Sequence, residues 1–323
     1  MLTVSDLETL PAELKGGVVA IGNFDGVHRG HMAVLSQAMD LAREKNCPVL
    51  ALTFEPHPRE LFNPDVPVFR VAPPPAKARL LGLLGFDCVI ELEFTREFAS
   101  LTADEFVDRV LVGGLGICHV VTGVDFHFGK NRQGGPAFLM AAGAARGFGV
   151  SLVDSFRDEG TEVVSSSRIR ALLEDGNVAE ANGLLGYRYQ VQGEVVHGRQ
   201  LGRTLGYPTA NMVLPASNGL CHGVYAVRLR RADGSLHDGV ASFGRRPTVE
   251  AAGEPLLETF VFDFSGDLYG EVCRVSFFGW LRGEEKFASL DELHVQMKRD
   301  EAEARALLAN VRPLSELDAK LSF

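Results

Sequence analysis

The sequence predicts an α/β half with a mostly parallel sheet, followed by a half that forms a small antiparallel β-barrel with a terminal helix. Two observations support this fold class. In the first half, short apolar segments alternate with stretches of helical periodicity, which is typical of βαβ units. From Tyr187 onward, closely spaced segments with a period of two are separated by glycine and Asp-Gly turns, which indicates antiparallel strands.

In the first half, we expect strands at five short apolar runs: 17–22, 48–54, 87–94, 118–126 and 149–156. Helical spacing of apolar residues predicts helices near 30–45, 76–85, 102–112, 136–147 and 165–174. Parallel sheets of this class bind their ligands beyond the carboxyl ends of the strands. The loops after the first, second and fourth strands are therefore expected to lie together at one edge of the sheet.

In the second half, the β pattern covers 189–198, 223–231, 239–244, 257–264 and 271–282, and a final helix at 289–309 is expected to close the chain. The change of period places the domain boundary near 183–186, so we expect one domain at 1–184 and a second at 185–323. A chain of 323 residues is long enough for two domains that each bury a core.

The composition excludes several classes of protein. A net charge of −10 argues against a general nucleic-acid or membrane-surface binder, which would present a basic face. The five cysteines are widely spaced without a C-x-x-C motif, which fits reduced thiols in the cytoplasm. No signal sequence is present, and no apolar run reaches the roughly 18 residues of a spanning helix. We expect a cytoplasmic protein without nucleic-acid or membrane partners, as a monomer or a weak homo-oligomer.

The most informative segment is 22–31, GNFDGVHRGH, which follows an apolar strand and ends in His28 and His31 where a helix begins. Its glycines allow the backbone to approach a ligand, and the helix start supplies unpaired N–H groups at the positive end of a dipole. The two imidazoles add donors that are neutral or charged near neutral pH. Together these parts predict a site for a nucleoside triphosphate.

Two other interpretations of this segment are weaker. A single histidine in such a turn is usually a cap or a surface residue, but two histidines around a glycine favour a function. Zinc needs a third and usually a fourth ligand, and no Cys or carboxylate lies near at ligand spacing. The chain has no G-x-x-x-x-G-K-[ST] motif, and no G-x-G-x-x-G follows a strand.

Three further segments are candidate parts of the same site. In TFEPHP (53–58), His57 stands between two prolines and either stiffens a turn that caps the strand or forms part of a ligand wall. In GVDFHFGKNRQG (123–134), the position at a strand end favours binding over ordinary solvated surface. SSSRIR (165–170) has more hydroxyl groups than one N-cap requires, together with Arg168, which favours a phosphate ligand.

The segment GRQLGRTLGYPTAN (198–211) is the candidate site of the second half. Thr209 and Asn211 fall on one face of a strand, and Mg²⁺ prefers such oxygen ligands beside phosphate and water. The alternative is an ordinary turn stabilised by these side chains. Glu258 lies within an apolar strand, where a carboxylate is costly unless it is paired or used. Next to the Thr/Asn pair it would be a good general base.

In this order and spacing, these motifs, with GVYAV, FGRRPT, LETFVFDF and DLYG, resemble the bacterial bifunctional riboflavin kinase/FMN adenylyltransferase family, or prokaryotic FAD synthetases, over essentially the whole chain. The resemblance implies an N-terminal nucleotidyltransferase domain with a Rossmann-like sheet and a C-terminal six-stranded flavokinase barrel. It further implies that riboflavin is phosphorylated by Mg-ATP in the barrel. In the N-terminal domain, FMN would then be adenylylated by a second ATP, which gives FAD and pyrophosphate.

The resemblance also implies residue roles. Glu258 matches the family's base, Thr209 and Asn211 match its metal and phosphate ligands, and the His28/His31 pair matches the group that stabilises the transferred phosphate. The ligand-binding residues expected in the first domain are Gly22, Asn23, Phe24, Asp25, Gly26, His57, Asp125, Arg132, Ser165, Ser166 and Arg168. Those expected in the second domain are Gly202, Arg203, Gly206, Pro208, Thr209 and Asn211.

Three positions depart from the family pattern. His127 stands where Arg is common, Ser167 replaces Thr, and the pair Ser242–Phe243 replaces Asn–Ile. None of these changes alters the proposed catalytic residues, so we expect both activities. The alternatives are an enzyme that keeps only the kinase activity, and a flavin-binding storage or sensor protein without turnover.

Overall fold

The computed structural model describes residues 1–198, 207–245 and 254–323. The chain divides into two compact units, Met1–Ser166 and Ser167–Phe323. One six-stranded sheet is parallel and the other is antiparallel, which confirms the predicted fold class. The domain boundary expected after residue 184 stays a prediction. No helix within the described ranges has the length and apolar character needed to cross a membrane.

The first sheet has the order β1-β4-β3-β2-β5-β6, and all neighbouring strands are parallel. Its strands are β1 (Leu2–Val4), β2 (Val18–Ile21), β3 (Val49–Glu55), β4 (Cys88–Glu93), β5 (His119–Gly123) and β6 (Gly149–Val153). Five of them are the predicted strands, although β5 and β6 each end three residues earlier than expected. The three-residue edge strand β1 is too short to show a period.

The helices of the first unit follow the predicted alternation with strands. They are α1 (Arg29–Lys45), α2 (Pro58–Phe62), α3 (Pro74–Leu84), α4 (Arg96–Ala99), α5 (Ala103–Glu105, continued by a π-helix at Phe106–Gly114) and α6 (Pro136–Arg146). The short helices α2 and α4 were not predicted. A proline in the first turn fixes the start of α2, α3 and α6, where its missing N–H costs nothing.

The strand order of the first sheet determines where a ligand can bind. Strand β2 is buried along its whole length and has β3 on one side and β5 on the other. The chain therefore turns in opposite directions from β2, which creates a switch point between β2 and β5. Sheets of this class bind ligands in the crevice at the carboxyl ends of such strands.

The second unit begins with α7 (Ser166–Glu174) and α8 (Val178–Leu185), which precede the barrel. The barrel strands are β7 (Gln190–Glu194), β8 (Thr209–Val213), β9 (Gly223–Arg230), β10 (Leu236–Arg245), β11 (Pro255–Val261) and β12 (Val272–Arg282). Their order is β7-β12-β9-β10-β11-β8. Just beyond β7, the N–H of Val196 donates to the Asn211 carbonyl at 2.8 Å and brings the two edge strands together.

Two helices follow the barrel: α9 (Leu290–Leu308) and α10 (Glu316–Ser322). The prediction that the helix at 289–309 closes the chain is wrong, because α10 comes after it. The seven-residue α10 depends on tertiary contacts that no local pattern shows. Its Asp318 is fully buried, forms an ion pair with Arg188, and accepts the Arg188 and Leu314 backbone N–H groups at 2.9 Å each.

We expect Asp318→Ala to destabilise the second unit by about 3–5 kcal/mol, because it leaves the buried Arg188 guanidinium without its counter-charge. Urea unfolding of the intact chain measures this loss. The control is Glu316→Ala, which removes an exposed acid from the same helix and should change stability by about 0.5 kcal/mol or less. Equal stability of the two variants would show that α10 does not depend on this ion pair.

Candidate active sites

The turn between β2 and α1 has an unusual backbone. Phe24 (φ 47°) and Val27 (φ 40°) adopt the left-handed conformation, as does Gly26 (φ 87°). A β-branched residue such as Val27 rarely adopts this conformation, and it persists only where the surroundings hold it. Backbone of this kind is concentrated at functional sites, and here it lies at the switch point of the sheet.

His28 caps helix α1, which begins at Arg29 as predicted. Its Nδ1 accepts the backbone N–H of His31 at 3.2 Å. Because Nδ1 is an acceptor, the neutral His28 ring carries its proton on Nε2. The same side chain therefore orients the helix start.

The rings of His28 and His31 are stacked, with centroids 3.6 Å apart and planes inclined by 17°. Burial lowers the pKa of His31 well below its ordinary value of 6.5, and His28 and the Lys77 ammonium lower it further. Among the residues that the structure describes, the buried Nδ1 of His31 has no hydrogen-bond partner. At neutral pH the imidazole ring of His31 is therefore uncharged.

Gly30 explains why the histidines frame a glycine. A Cβ atom at this position would lie 2.9 Å from the carbonyl oxygen of Val164 and 3.0 Å from the His28 ring. Any larger residue would push the His28 ring or the backbone at Val164 out of place. The H-x-G-H spacing thus has a packing cause as well as a chemical one.

Asp25 anchors the turn to the rest of the unit. Its buried carboxylate accepts the N–H of Ala72 at 3.0 Å and lies 3.8 Å from Nε of Arg70. Its backbone carbonyl accepts the hydroxyl of Ser166 at 2.9 Å. Sequence reasoning assigned Asp25 and Ser166 to ligand binding; the structure shows both holding the turn, and their contact with a ligand stays a prediction.

His57 caps the short helix α2. Its Nδ1 accepts the N–H of Arg59 at 3.2 Å, and the Glu60 carboxylate accepts the His57 N–H at 3.3 Å, which completes a capping box. This geometry is what the stiff-turn interpretation requires. The part of His57 in a ligand wall stays a prediction.

The loop after β5 carries Asp125, His127 and Arg132 on the exposed surface. The Nδ1 of His127 lies 2.9 Å from the Asp125 carbonyl oxygen. Arg168, the other expected phosphate ligand, belongs to the second unit, where its guanidinium pairs with Glu180 at 3.1 Å. The roles of Asp125, Arg132, Ser165 and Arg168 in binding stay predictions.

The barrel brings three of its predicted residues together. In the strand register, Glu258 of β11 lies directly opposite Asn211 of β8 and Ser242 of β10. Directly opposite residues project their side chains from the same face, with Cβ atoms about 4.5–5.5 Å apart. The Asn211 Nδ2 is 3.3 Å from the Thr209 hydroxyl, so Thr209 shares this face.

Gly198 leaves room for the Asn211 side chain, because a Cβ at this glycine would come within 2.6 Å of it. The hydroxyl of Thr209 and the amide oxygen of Asn211 are of the ligand type that Mg²⁺ accepts beside phosphate, and Glu258 lies on the same face. Within the described ranges, no group of three or more His, Cys, Asp or Glu residues has the arrangement of a metal site. Pro208 is exposed, and Gly202, Arg203 and Gly206 lie outside the described residues.

Sequence reasoning missed a largely buried charged network that is connected to the turn between β2 and α1. Glu55 of β3 accepts two hydrogen bonds from Arg70, at 2.7 and 2.8 Å, and one from Lys77 of α3, at 2.5 Å. Lys77 also donates to the Thr53 hydroxyl at 2.8 Å. A signal was available for Glu55, which ends the apolar strand VLALTFE, where a charge has to be paired.

Comparisons with known proteins agree with the two halves of the fold. Residues 10–168 match the FAD synthetase family, and residues 185–308 match the riboflavin kinase family. The bifunctional riboflavin kinase/FMN adenylyltransferase of Pseudomonas fluorescens is 43% identical over 309 residues, which cover 96% of this chain and 98% of the relative. Its Escherichia coli K12 counterpart is 40% identical over 310 residues, with the same coverage.

A solved structure extends the match to the backbone. A Streptococcus pneumoniae protein named a macrolide-efflux protein is 33% identical, has a TM-score of 0.83, and covers 94% of this chain and 98% of its own. The sequence matches to these relatives thus cover both halves of this chain and nearly the full length of each relative. The chain belongs to the family of bifunctional riboflavin kinase/FMN adenylyltransferases, with the adenylyltransferase in its N-terminal part and the riboflavin kinase in its C-terminal part.

Proposed function

We propose that the two reactions use separate catalytic groups: His28 and His31 for adenylyl transfer to FMN, and Glu258 with Thr209 and Asn211 for phosphorylation of riboflavin. The observation that carries this proposal is the presence of one such group in each compact unit. Each reaction is a nucleophilic attack on a phosphorus atom of ATP, and in such reactions positioning and charge stabilisation provide most of the catalysis.

In the first unit, the FMN phosphate attacks the α-phosphate of ATP and pyrophosphate leaves. Negative charge accumulates on the α-phosphate oxygens in the transition state. The Nε2–H of His28 and the N-terminal end of α1 are donors suited to that charge, and they are held in place before the reaction. The lowered pKa of His31 means that this ring acts as a neutral hydrogen-bonding group.

In the second unit, the riboflavin hydroxyl attacks the γ-phosphate of ATP, and ADP leaves. Glu258 is placed to take the proton of that hydroxyl as the oxygen becomes a nucleophile. Thr209 and Asn211 would hold Mg²⁺ with the ATP phosphates, where the ion supplies charge neutralisation. Ser242, the departure from the family pattern opposite Glu258, contributes a hydroxyl to the same face.

We also propose a cytoplasmic enzyme that works as a monomer or a weak homo-oligomer. All five cysteines are free thiols, which supports a reducing compartment. The catalytic groups of each reaction come from a single unit of one chain, which supports activity without a partner subunit.

Replacing both histidines, His28→Ala with His31→Ala, should lower the rate of FMN adenylylation by about 10²–10³-fold, because the donors to the transferred phosphate are lost. Riboflavin phosphorylation should stay within about twofold of wild type. The measurement is chromatographic separation of riboflavin, FMN and FAD after incubation with ATP and Mg²⁺. The control is His119→Ala, at the amino end of β5, away from the switch point. Normal FAD formation by the double variant would refute the assignment.

Glu258→Gln should lower riboflavin phosphorylation by about 10²–10⁴-fold, because the amide cannot accept the hydroxyl proton. Conversion of added FMN to FAD should continue. Glu194→Gln removes an exposed carboxylate from the same barrel and serves as the matched control. If both reactions failed in folded Glu258→Gln protein, the two reactions would not use separate groups.

The lowered pKa of His31 predicts a pH dependence of stability. Below pH 6.5 the unfolded chain binds a proton at His31, while the folded chain does not, so acid favours unfolding. Between pH 7.5 and 5.5, wild type should lose more stability than His31→Asn, by at most about 1.4 kcal/mol per pH unit below 6.5. Urea unfolding at both pH values measures the difference. Parallel loss in the two proteins would mean that His31 takes up its proton in the folded state.

A further inference from the structure

Thr53, at the carboxyl end of β3, has no part in the proposed chemistry, yet it connects the buried charges to the catalytic turn. It is fully buried, and its hydroxyl donates to the Asn23 carbonyl at 3.1 Å. The same oxygen accepts a hydrogen bond from Lys77 at 2.8 Å. Because the ammonium can only donate, it forces the Thr53 hydrogen towards Asn23. The result is a one-way chain from ammonium to hydroxyl to carbonyl.

Lys77 is fully buried, and burial lowers its pKa, while the Glu55 carboxylate opposes that shift. An ion pair in such a place is often no more stable than a well-packed apolar pair. Stability alone therefore does not explain a lysine here. Its contacts show what it does instead, because it fixes the direction of the hydroxyl that holds the turn.

The turn needs such support. Asn23 is followed by Phe24 and Val27, both at positive φ, and the turn ends at the cap residue His28. Strained backbone of this kind persists only when several contacts hold it. Asp25 makes some of these contacts, as described above, and the hydrogen bond from Thr53 to the Asn23 carbonyl is another.

We propose that Thr53 and Lys77 are positioning residues for adenylyl transfer. By fixing the Asn23 carbonyl they set the path of the turn, and so the place of the His28 ring relative to the α-phosphate. Misplacement of a catalytic group by about 1 Å is enough to cost a large part of the rate. This inference rests on the proposed role of His28 and names residues that act through it.

The test compares Thr53→Val with Thr53→Ser in the intact chain. The valine variant keeps the shape but removes the hydroxyl, whereas the serine variant keeps it. We expect Thr53→Val to lower kcat for FMN adenylylation about tenfold, with KM for ATP within about twofold. The expected loss corresponds to about one hydrogen bond, the one that a misplaced His28 would no longer make to the transition state. Thr53→Ser should restore most of kcat, and urea unfolding of each variant reports whether the first unit, which contains Thr53, is folded.

A double-mutant cycle separates positioning from a general structural effect. In a His28→Ala background, Thr53→Val should lower the remaining adenylylation by less than about twofold, because the group it positions is gone. A full tenfold loss in both backgrounds would overturn the inference, as would unchanged kcat in folded Thr53→Val. Lys77→Met should repeat the loss of the valine variant; if it does not fold, the threonine pair still decides.

Failure of this inference is distinguishable from failure of the proposed function. If His28→Ala alone leaves adenylylation at the wild-type rate, the role of the histidines is wrong. If His28→Ala lowers the rate and Thr53→Val does not, only the positioning role is wrong.

Discussion

The N-terminal site depends on the ion pairs that the Glu55 carboxylate forms with Arg70 and Lys77. The carboxylate receives Arg70 and Lys77 from two other segments, and its pKa lies below the ordinary range because these two cations outweigh the effect of burial. Arg70 reaches on towards Asp25, and Lys77 reaches on to Thr53. Both branches end on the turn that leads to His28, one of the proposed catalytic residues. One largely buried negative charge is thereby linked to a turn that is itself buried from Phe24 to His28.

The barrel reaches its site by different means. There strand register aligns the candidate site: Asn211, Glu258 and Ser242 lie in one row across three strands. A shift of β11 by one residue would turn Glu258 to the opposite face, where Leu257 and Thr259 are now fully buried. The buried side chains on the core face of the barrel therefore fix which side chains lie on the opposite, polar face. A charged network thus positions the proposed catalytic groups of the first unit, and strand register positions those of the second.

The sequence was sufficient to predict the parts whose signals are local. The buried strands of the first sheet are continuous apolar runs, and the start of α1 is marked by the glycine-histidine turn that precedes it. The resemblance to the family, carried by nine motifs, was confirmed by matches over both halves.

The sequence was not sufficient where the contacts join distant segments. Asp25 is hydrogen-bonded to Ala72, 47 positions further along the chain, and Thr53 is hydrogen-bonded to Lys77, 24 positions further along. No periodicity encodes such pairs, so the structural contacts of Asp25 and of Thr53 went unnoticed. Helix α10 was missed for the same reason, since Arg188 lies 130 positions before the Asp318 that it pairs with. The roles of the candidate ligand-binding side chains depend on contacts with substrates and therefore stay predictions.

Helix α8 has a consequence for dissecting the enzyme. Its buried Asn182 donates to the Phe277 carbonyl at 2.9 Å and accepts the Tyr189 N–H at 2.7 Å. A kinase fragment cut at residue 185 would strip this amide away and expose two unpaired backbone groups of the barrel. A fragment that starts at residue 167 would retain it. Studies of the isolated kinase should therefore take the longer piece, or the truncation itself will be mistaken for a property of the catalyst.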